Sequence, residues 1–167
     1  MSSDPYHRQL LKFFIISATS FFIGTVHGVV QVLPPIRKWL DSIGSPYGGP
    51  GHMIDPLAHA HMNLVGGVVM LAMGATYYLL PSLTGRAIYS RKLVDWTFWC
   101  VIIGVYAFYA IQVGFGIYEG LLLTSQPEAI AGVHHIYGAT TAIASTIMGI
   151  GFIIYMVNVC VTAFGRK

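Results

Sequence analysis

The 167 residues are 55% hydrophobic and 9% charged, with a mean hydropathy of +0.67. Soluble domains carry roughly 25% charged residues, so a soluble globule is excluded and an integral membrane protein is indicated. The net charge of +3 comes with no basic stripe, so we expect no nucleic-acid partner.

Four apolar segments are long enough to cross a bilayer, which needs about 20 helical residues. We therefore predict an all-α, integral membrane four-helix bundle, with a single transmembrane domain over residues 1–167. The predicted helices cover residues 9–33, 56–81, 94–123 and 128–164.

Prolines and glycines mark the predicted helix ends. Pro34 and Pro35 end the first helix, and the glycine- and proline-rich stretch that follows predicts a loop as far as Asp55. Asp55 and Pro56 are a typical N-cap and first-turn pair for the second helix, and Pro81 is predicted to end it.

Basic residues predict the orientation. With four spans both termini lie on one side, and seven of the nine basic residues fall on that side. We expect the chain to lie in the inner, cytoplasmic membrane of the cell. The positive-inside rule then predicts that both termini are in the cytoplasm. The seven are Arg8, Lys12, Arg86, Arg91, Lys92, Arg166 and Lys167; Arg37 and Lys38 lie opposite.

Histidines near the outer ends of three predicted helices are the main chemical signal. His27, His61 and the adjacent pair His134 and His135 each lie about 8–12 Å inside the predicted outer boundary, at ~1.5 Å per residue. Ionisable residues inside a membrane usually mark function. Imidazoles from facing helices commonly hold a haem iron, so we predict a haem in this layer.

The ligand assignment keeps several alternatives open. His61 is the first candidate, and its partner is His134 or His135, with His135 slightly preferred. His27 is either a ligand or a hydrogen-bond partner, whereas His59 could serve a second metal, a haem propionate or water. The glycines of the helices either make room for a porphyrin or only allow close helix contact. Arg37 and Lys38 are available to pair with the propionates.

The run from His59 to Pro81, HAHMNLVGGVVMLAMGATYYLLP, resembles the second transmembrane helix of haem-copper oxidase subunit I. The resemblance is closest to the nitric oxide reductase and cbb-type branch. It implies that His61, followed by Asn63 and Leu64, is an axial ligand of a low-spin haem b. In that family the second ligand lies on a later helix, so His134 and His135 are candidates by depth alone.

We therefore expect a b-type cytochrome with one haem b, or at most two, and no copper centre. It would transfer electrons as an oligomer or as one subunit of a respiratory complex, with a quinol or cytochrome c as donor, and with no catalytic residue of its own. Two alternatives are a minimal haem or metal reductase of nitric oxide or oxygen, with His27 or Glu119 assisting, and a non-haem structural subunit. Glu119 is expected to be solvated at the membrane boundary.

Overall fold

The computed structural model describes residues 5–165, and this part of the chain consists of helices joined by short loops, with no strand. The all-α prediction is confirmed. Four helices are long and apolar enough to cross a membrane, as predicted, and a fifth, short helix lies between the first two. Arg166 and Lys167, which the orientation prediction used, lie outside the described residues. The helices are α1 (Pro5–Gln31), α2 (Pro34–Ser42), α3 (Gly49–Thr84), α4 (Arg91–Ser125) and α5 (Pro127–Phe164).

Helices α3 and α4 form the centre of the bundle. Helix α1 packs along α3, and α5 packs along α4. Within the most apolar 18-residue stretch of each helix, 17% of the residues of α5 are buried, compared with 39% of those of α4. Much of the surface of α5 is therefore left open to lipid or to another chain. We call the end of the bundle that holds residues 32–48 the loop end, and the opposite end the termini end.

Helix α3 begins seven residues earlier than predicted, because the chain is already helical at Gly49 and Pro50. The backbone leaves helical geometry at Asp55, with φ −132° and ψ 111°, and the helix resumes beyond this kink. Asp55 and Pro56 thus form a bend inside α3 rather than its start. Pro81 also lies inside α3, which ends at Thr84 before Gly85, a residue with a left-handed φ of 64°.

The short helix α2 was not predicted, since Pro34 and Pro35 were interpreted only as helix breakers. Proline is well suited to the first turn of a helix, and here the pair starts α2. Its buried Leu40 packs with Ile43 and Ile54 in a small apolar cluster. Helix α2 therefore lies across the loop end with its apolar side against the start of α3.

An ion-pair network fixes α2 to the kink in α3. The Arg37 guanidinium donates to Asp41 at 2.9 Å, to Asp55 at 2.6 Å and to Ser45 at 2.8 Å. The hydrogen bonds that Arg37 donates to the carboxylates of Asp41 and Asp55 raise its pKa above the ordinary value. Arg37 is therefore engaged with protein groups, which leaves the exposed Lys38 as the freer of the two predicted propionate partners.

The termini end has the larger apolar core and a buried polar network. The Tyr77 hydroxyl contacts Thr97 Oγ1 at 3.1 Å, and Asn158 bonds to the backbone of Ser90. The side chain of Ser90 caps α4 by accepting from Leu93 N. These contacts join α3, α4 and α5 near the point where α4 begins.

The glycines of α1 and α3 serve close helix packing. A Cβ on Gly67 would lie 2.7 Å from the ring of Phe21, and one on Gly28 would lie 2.7 Å from the ring of His59. In contrast, Gly138 and Gly149 on α5 face open space. For α1 and α3 the structure thus supports the small-residue packing interpretation over a cavity for a porphyrin.

Candidate metal centre

Three of the predicted histidines lie at one level of the bundle. Helix α4 provides the reference, because adjacent residues of that helix contact two of them: Phe108 contacts His61, and Tyr109 contacts His27. The ring of His59 lies 5.6 Å from that of His27. We call His27, His59 and His61 the histidine level.

His61 is held as a metal-ligating histidine usually is. Its Nδ1 donates to the carbonyl oxygen of Leu57 at 2.9 Å, because a carbonyl can only accept. This bond fixes the tautomer and leaves the Nε2 lone pair available to a metal. The ring packs 4.3 Å from that of Phe108, which further restricts its orientation.

The backbone around His61 is unusual for a membrane helix. Wide π-type turns run over Met53–Ala58 and Met62–Val69, and only His59–His61 between them is α-helical. Such turns inside α-helices occur frequently at functional sites. No pattern in the sequence indicates these turns.

His27 and His59 face a different side of the bundle from His61. Two residues along a helix turn the side chain by about 200°, so His59 and His61 point to nearly opposite sides of α3. His59 Nδ1 lies 2.7 Å from Gln31 Nε2, and His27 Nδ1 lies 3.1 Å from the hydroxyl of Tyr109. These two imidazoles therefore belong to a hydrogen-bonded group between α1, α3 and α4.

His134 lies at a second level, nearer the loop end. Its Nδ1 is 3.2 Å from both carboxylate oxygens of Glu119, whose side chain is 2% exposed. Glu119 is therefore buried and paired, and the expectation that it is merely solvated is wrong. His135 is exposed on α5. We call Glu119 and His134 the loop-end pair.

About 16 Å separate the two levels, because Phe108 and Glu119 are eleven residues apart on the same helix. Contacts between α4 and α5 agree with this spacing, since Gly104 lies against Met148 and Gln112 bonds to Tyr137. The structure therefore does not bring His61 to His134 or His135. The predicted common layer assumed that α3 begins at Pro56, whereas the helix begins seven residues earlier.

The histidine level and the loop-end pair also differ in depth. A hydrocarbon layer of about 30 Å that starts at the Lys12–Asp95 pair ends about 20 residues further along α4, near Phe115. With the layer placed in this way, the histidine level falls inside it, whereas Glu119 and His134 fall beyond it. Among the described residues, no group of three or more His, Cys, Asp or Glu side chains is placed to hold one metal ion.

Sequence reasoning missed two polar residues at the histidine level. Tyr109 bonds to His27, and Gln31 bonds to His59, while the buried Oε1 atom of Gln31 has no hydrogen-bond partner among residues 5–165. The signal for Gln31 was its place on a stripe of small and polar residues along the first predicted helix, which also includes Ser17, Ser20 and Gly24. Ser17 and Ser20, earlier on that stripe, are also buried, and they bond to Gly67 O and Tyr106. Nothing in the sequence distinguished Tyr109 from the other aromatic residues of α4.

Comparison with known proteins gives a consistent group of relatives. Residues 2–137 match the family model described as Cytochrome C and Quinol oxidase polypeptide I. A cytochrome c oxidase subunit 1 homolog of Agrobacterium tumefaciens is 30% identical over 66% of this chain and 22% of its own length. Cytochrome c oxidase subunit 1 of Rhodobacter capsulatus is 29% identical over 78% of this chain and 28% of its own length.

A third relative is the Cbb3-type cytochrome c oxidase subunit CcoN1 of Stutzerimonas stutzeri, 27% identical over 73% of this chain and 23% of its own length. The matched part of the chain thus spans about a quarter of the length of these relatives. It includes α1, α3 and α4, and with them the whole histidine level.

Proposed function

Since the chain belongs to the family of cytochrome c and quinol oxidase polypeptide I, whose members are multi-pass membrane proteins that bind haem, we propose that it is a b-type cytochrome subunit. It carries electrons within the cytoplasmic membrane as part of a respiratory complex. The haem b is held through His61.

The observation that carries this proposal is the hydrogen bond from His61 Nδ1 to Leu57 O. It presents Nε2, the nitrogen that a haem iron would take, and prevents the ring from turning. The haem supplies one-electron chemistry when bound. The protein would orient the His61 imidazole and surround it with apolar side chains such as Phe108, which would influence the reduction potential.

A second ligand to the haem would not come from the loop-end pair of the same chain, which lies about 16 Å away along α4. His27 and His59 are also poor candidates for the same iron, because they lie on the other side of α3 from His61. The ligand would then come from another chain. Leu64 and Val68, 57% and 47% exposed, leave an apolar surface beside His61 where that chain could pack.

The direct test compares His61→Ala with His134→Ala. Both proteins should insert into the membrane, because helical hydrogen bonds are satisfied within each helix. We expect His61→Ala to lose most of its haem, measured by the reduced-minus-oxidised spectrum per mole of purified protein, and His134→Ala to keep it. An unchanged low-spin spectrum in His61→Ala would refute the ligand assignment.

We also propose that the termini end faces the cytoplasm. In support, Arg8, Lys12 and Arg91 lie at this end, where Lys12 pairs with Asp95 and Arg91 lies over the Tyr6 ring. Arg86 also lies there and donates to the carbonyl oxygen of Gly165. The positive-inside rule assigns such an end to the cytoplasm.

Cysteine labelling tests this orientation. Tyr47, 96% exposed, is the better position at the loop end, because Ser45 is buried in the Arg37 network. In a chain with Cys100 and Cys160 replaced by Ser, a membrane-impermeant thiol reagent should label Tyr47→Cys in intact cells and leave Ala87→Cys unlabelled. The reverse pattern would invert the topology.

A further inference from the structure

The Nε2 atom of His61 is open to the outside of the chain. It bonds to none of residues 5–165 and is not fully buried, whereas Nδ1 is fixed on the carbonyl oxygen of Leu57. A low-spin haem iron takes two axial ligands, and His27 and His59 lie on the other side of α3 from His61. The site of the proposed function is therefore incomplete among the residues that the structure describes in one chain.

A cleft between α3 and α5 lies beside His61. Both helices pack on α4 at this level, but α5 contacts α3 mainly after Met70 and hardly touches Met62–Val69. The stripe continues along α5 into Phe152, which packs against the core shared with α3, while Gly138 and Gly149 face open space. The cleft is therefore open to lipid or to a neighbouring chain. Its α5 side carries small residues at every third or fourth position, which we call the small-residue stripe: Gly138, Ala142, Ser145 and Gly149.

The depth of each residue narrows the choice of the second ligand. Copies of this chain insert in the same orientation, because the same basic residues orient each copy. A given residue therefore lies at the same depth in every copy. The loop-end pair of a second copy is then about 16 Å from the level of His61, as it is within one chain. Among the histidines of residues 5–165, only His27, His59 and His61 of a second copy lie at the required depth.

We propose that two copies of this chain bind one haem between them, and that each copy supplies His61 as an axial ligand. Two-fold symmetry about an axis along the membrane normal places the same surface of each copy at the contact, with both His61 side chains at one depth. Pairing His27 or His59 with His61 needs a head-to-tail arrangement, which does not close on two copies. This inference rests on the proposed function for the haem, and it identifies the other chain that supplies the second ligand.

The exposed side of α3 matches the α5 of a second copy in shape. Leu64, Val68 and Leu71 are 57%, 47% and 40% exposed and recur at every third or fourth residue, so they form an apolar ridge beside His61. The small-residue stripe has the same spacing, and it lies at the same level because Tyr77 on α3 contacts Tyr155 on α5. Small residues let a neighbouring membrane helix approach closely, so the ridge of one copy can pack on the stripe of the other.

Area and charge also agree with a second copy. Helices are about 10 Å across and the hydrocarbon layer is about 30 Å thick, so α3 and α5 together present a face of about 600 Å² in outline. The accessible area of the side chains is larger than this outline and approaches the roughly 800 Å² per partner of a standard interface. No Asp, Glu, Lys or Arg occurs over residues 56–84 of α3 or 130–164 of α5. Two identical faces can therefore meet without repulsion between like charges.

Mixed complexes test the shared ligation. Chains with two different affinity tags are co-expressed and purified through both tags, so that every complex holds one copy of each. The wild-type complex should contain one haem per two chains, with a low-spin spectrum. A complex of wild type with His61→Ala should lose its haem or keep it with one open axial position, to which carbon monoxide binds. Wild type with His134→Ala is the matched control and should give the wild-type spectrum.

The outcomes separate this inference from the proposed function. One low-spin haem per chain in the wild-type complex, or an unchanged low-spin spectrum in the mixed His61→Ala complex, would overturn the shared site and still leave a haem protein. If the proposed function itself fails, the wild type contains no haem, or a complex with His61→Ala in both copies keeps the wild-type spectrum.

Crosslinking tests the contact between the copies without haem. In native membranes, and in chains with Cys100 and Cys160 replaced by Ser, Leu64→Cys on one copy should form a disulfide with Ser145→Cys on the other. The disulfide should also form in His61→Ala, because the apolar contact does not need the haem. Ile143→Cys is the matched control for Ser145→Cys and should stay uncrosslinked, since Ile143 is 62% exposed but lies on the opposite side of α5. Equal crosslinking of the two pairs, or none in either, would overturn the proposed dimer.

Discussion

The histidine level and the loop-end pair show what the same side chain does in two surroundings. At the histidine level, imidazoles bond to uncharged partners: a backbone carbonyl, a phenol and an amide. At the loop end, His134 lies against the carboxylate of Glu119. Neutral partners suit a hydrocarbon layer, in which a charge is expensive, whereas an imidazole and a carboxylate can pair beyond it. The surroundings therefore favour ligand chemistry at the first level and helix attachment at the second.

The packing of α5 on α4 is also closer near the histidine level than near the loop-end pair. Near the histidine level, a Cβ on Gly104 would lie 2.7 Å from the backbone nitrogen of Met148, so α4 and α5 are in close contact. Near the loop-end pair, Gly138 faces open space. A rigid contact at the first level can keep a ligand histidine in place. The second level depends more on the side-chain contacts of His134 and Tyr137.

The largest effect is expected from glycine substitutions that compare these contacts. Gly104→Val should destabilise the bundle by about 2–3 kcal/mol, because a backbone atom of α5 cannot move as a flexible side chain can. Gly138→Val, its matched control, should change stability by less than about 0.5 kcal/mol. Thermal unfolding in detergent measures both changes, because each kcal/mol of destabilisation should lower the melting temperature by about 2–4 °C. Equal melting temperatures for the two variants would contradict the difference in packing.

The sequence predicted the four spans because each is a long apolar stretch, and the kink shows where that reasoning stops. Asp55 and Pro56 have the residue types of a helix start, and only the tertiary structure shows helix on both sides of them. This moved the start of α3 by seven residues, or about 10 Å, which is enough to separate His61 from His134. The predicted depth of a residue in the membrane is therefore only as accurate as the predicted helix end from which it is counted.

Two other features had local signals of different strength. Helix α2 had one, since Ile36, Trp39, Leu40 and Ile43 follow the 3.6-residue period, but the adjacent prolines obscured it. The pairing of Glu119 with His134 had no local signal in the sequence. Its burial depends on α5 lying against α4, which no pattern within α4 reveals. His61 was identified from its motif, but its bond to Leu57 required the coordinates.

A smaller effect is expected at the loop-end pair. His134→Ala removes the hydrogen-bond partner of a buried carboxylate, which typically costs 1–3 kcal/mol; the exposure of the imidazole reduces our expectation to about 1 kcal/mol. His135→Ala, on the exposed neighbour, should change stability by less than about 0.5 kcal/mol. Combining His134→Ala with Glu119→Gln should cost less than the sum of the single effects. Strict additivity of the two substitutions would mean that the pair does not stabilise the helix contact.

The smallest effect is expected when carbon monoxide is added to the reduced protein, and it separates an electron carrier from a reductase of nitric oxide or oxygen. A carrier has both axial positions occupied, whereas a catalytic iron keeps one open. If His61 and a histidine from another chain saturate the iron, carbon monoxide should leave the low-spin spectrum almost unchanged in the intact complex.

The protein must be purified without separating its subunits, since loss of a partner that supplies the second ligand would open the position. The matched control is the same sample after detergent dissociation, in which we expect carbon monoxide to bind. Prompt conversion of most of the haem in the intact complex would contradict the carrier function and favour the reductase.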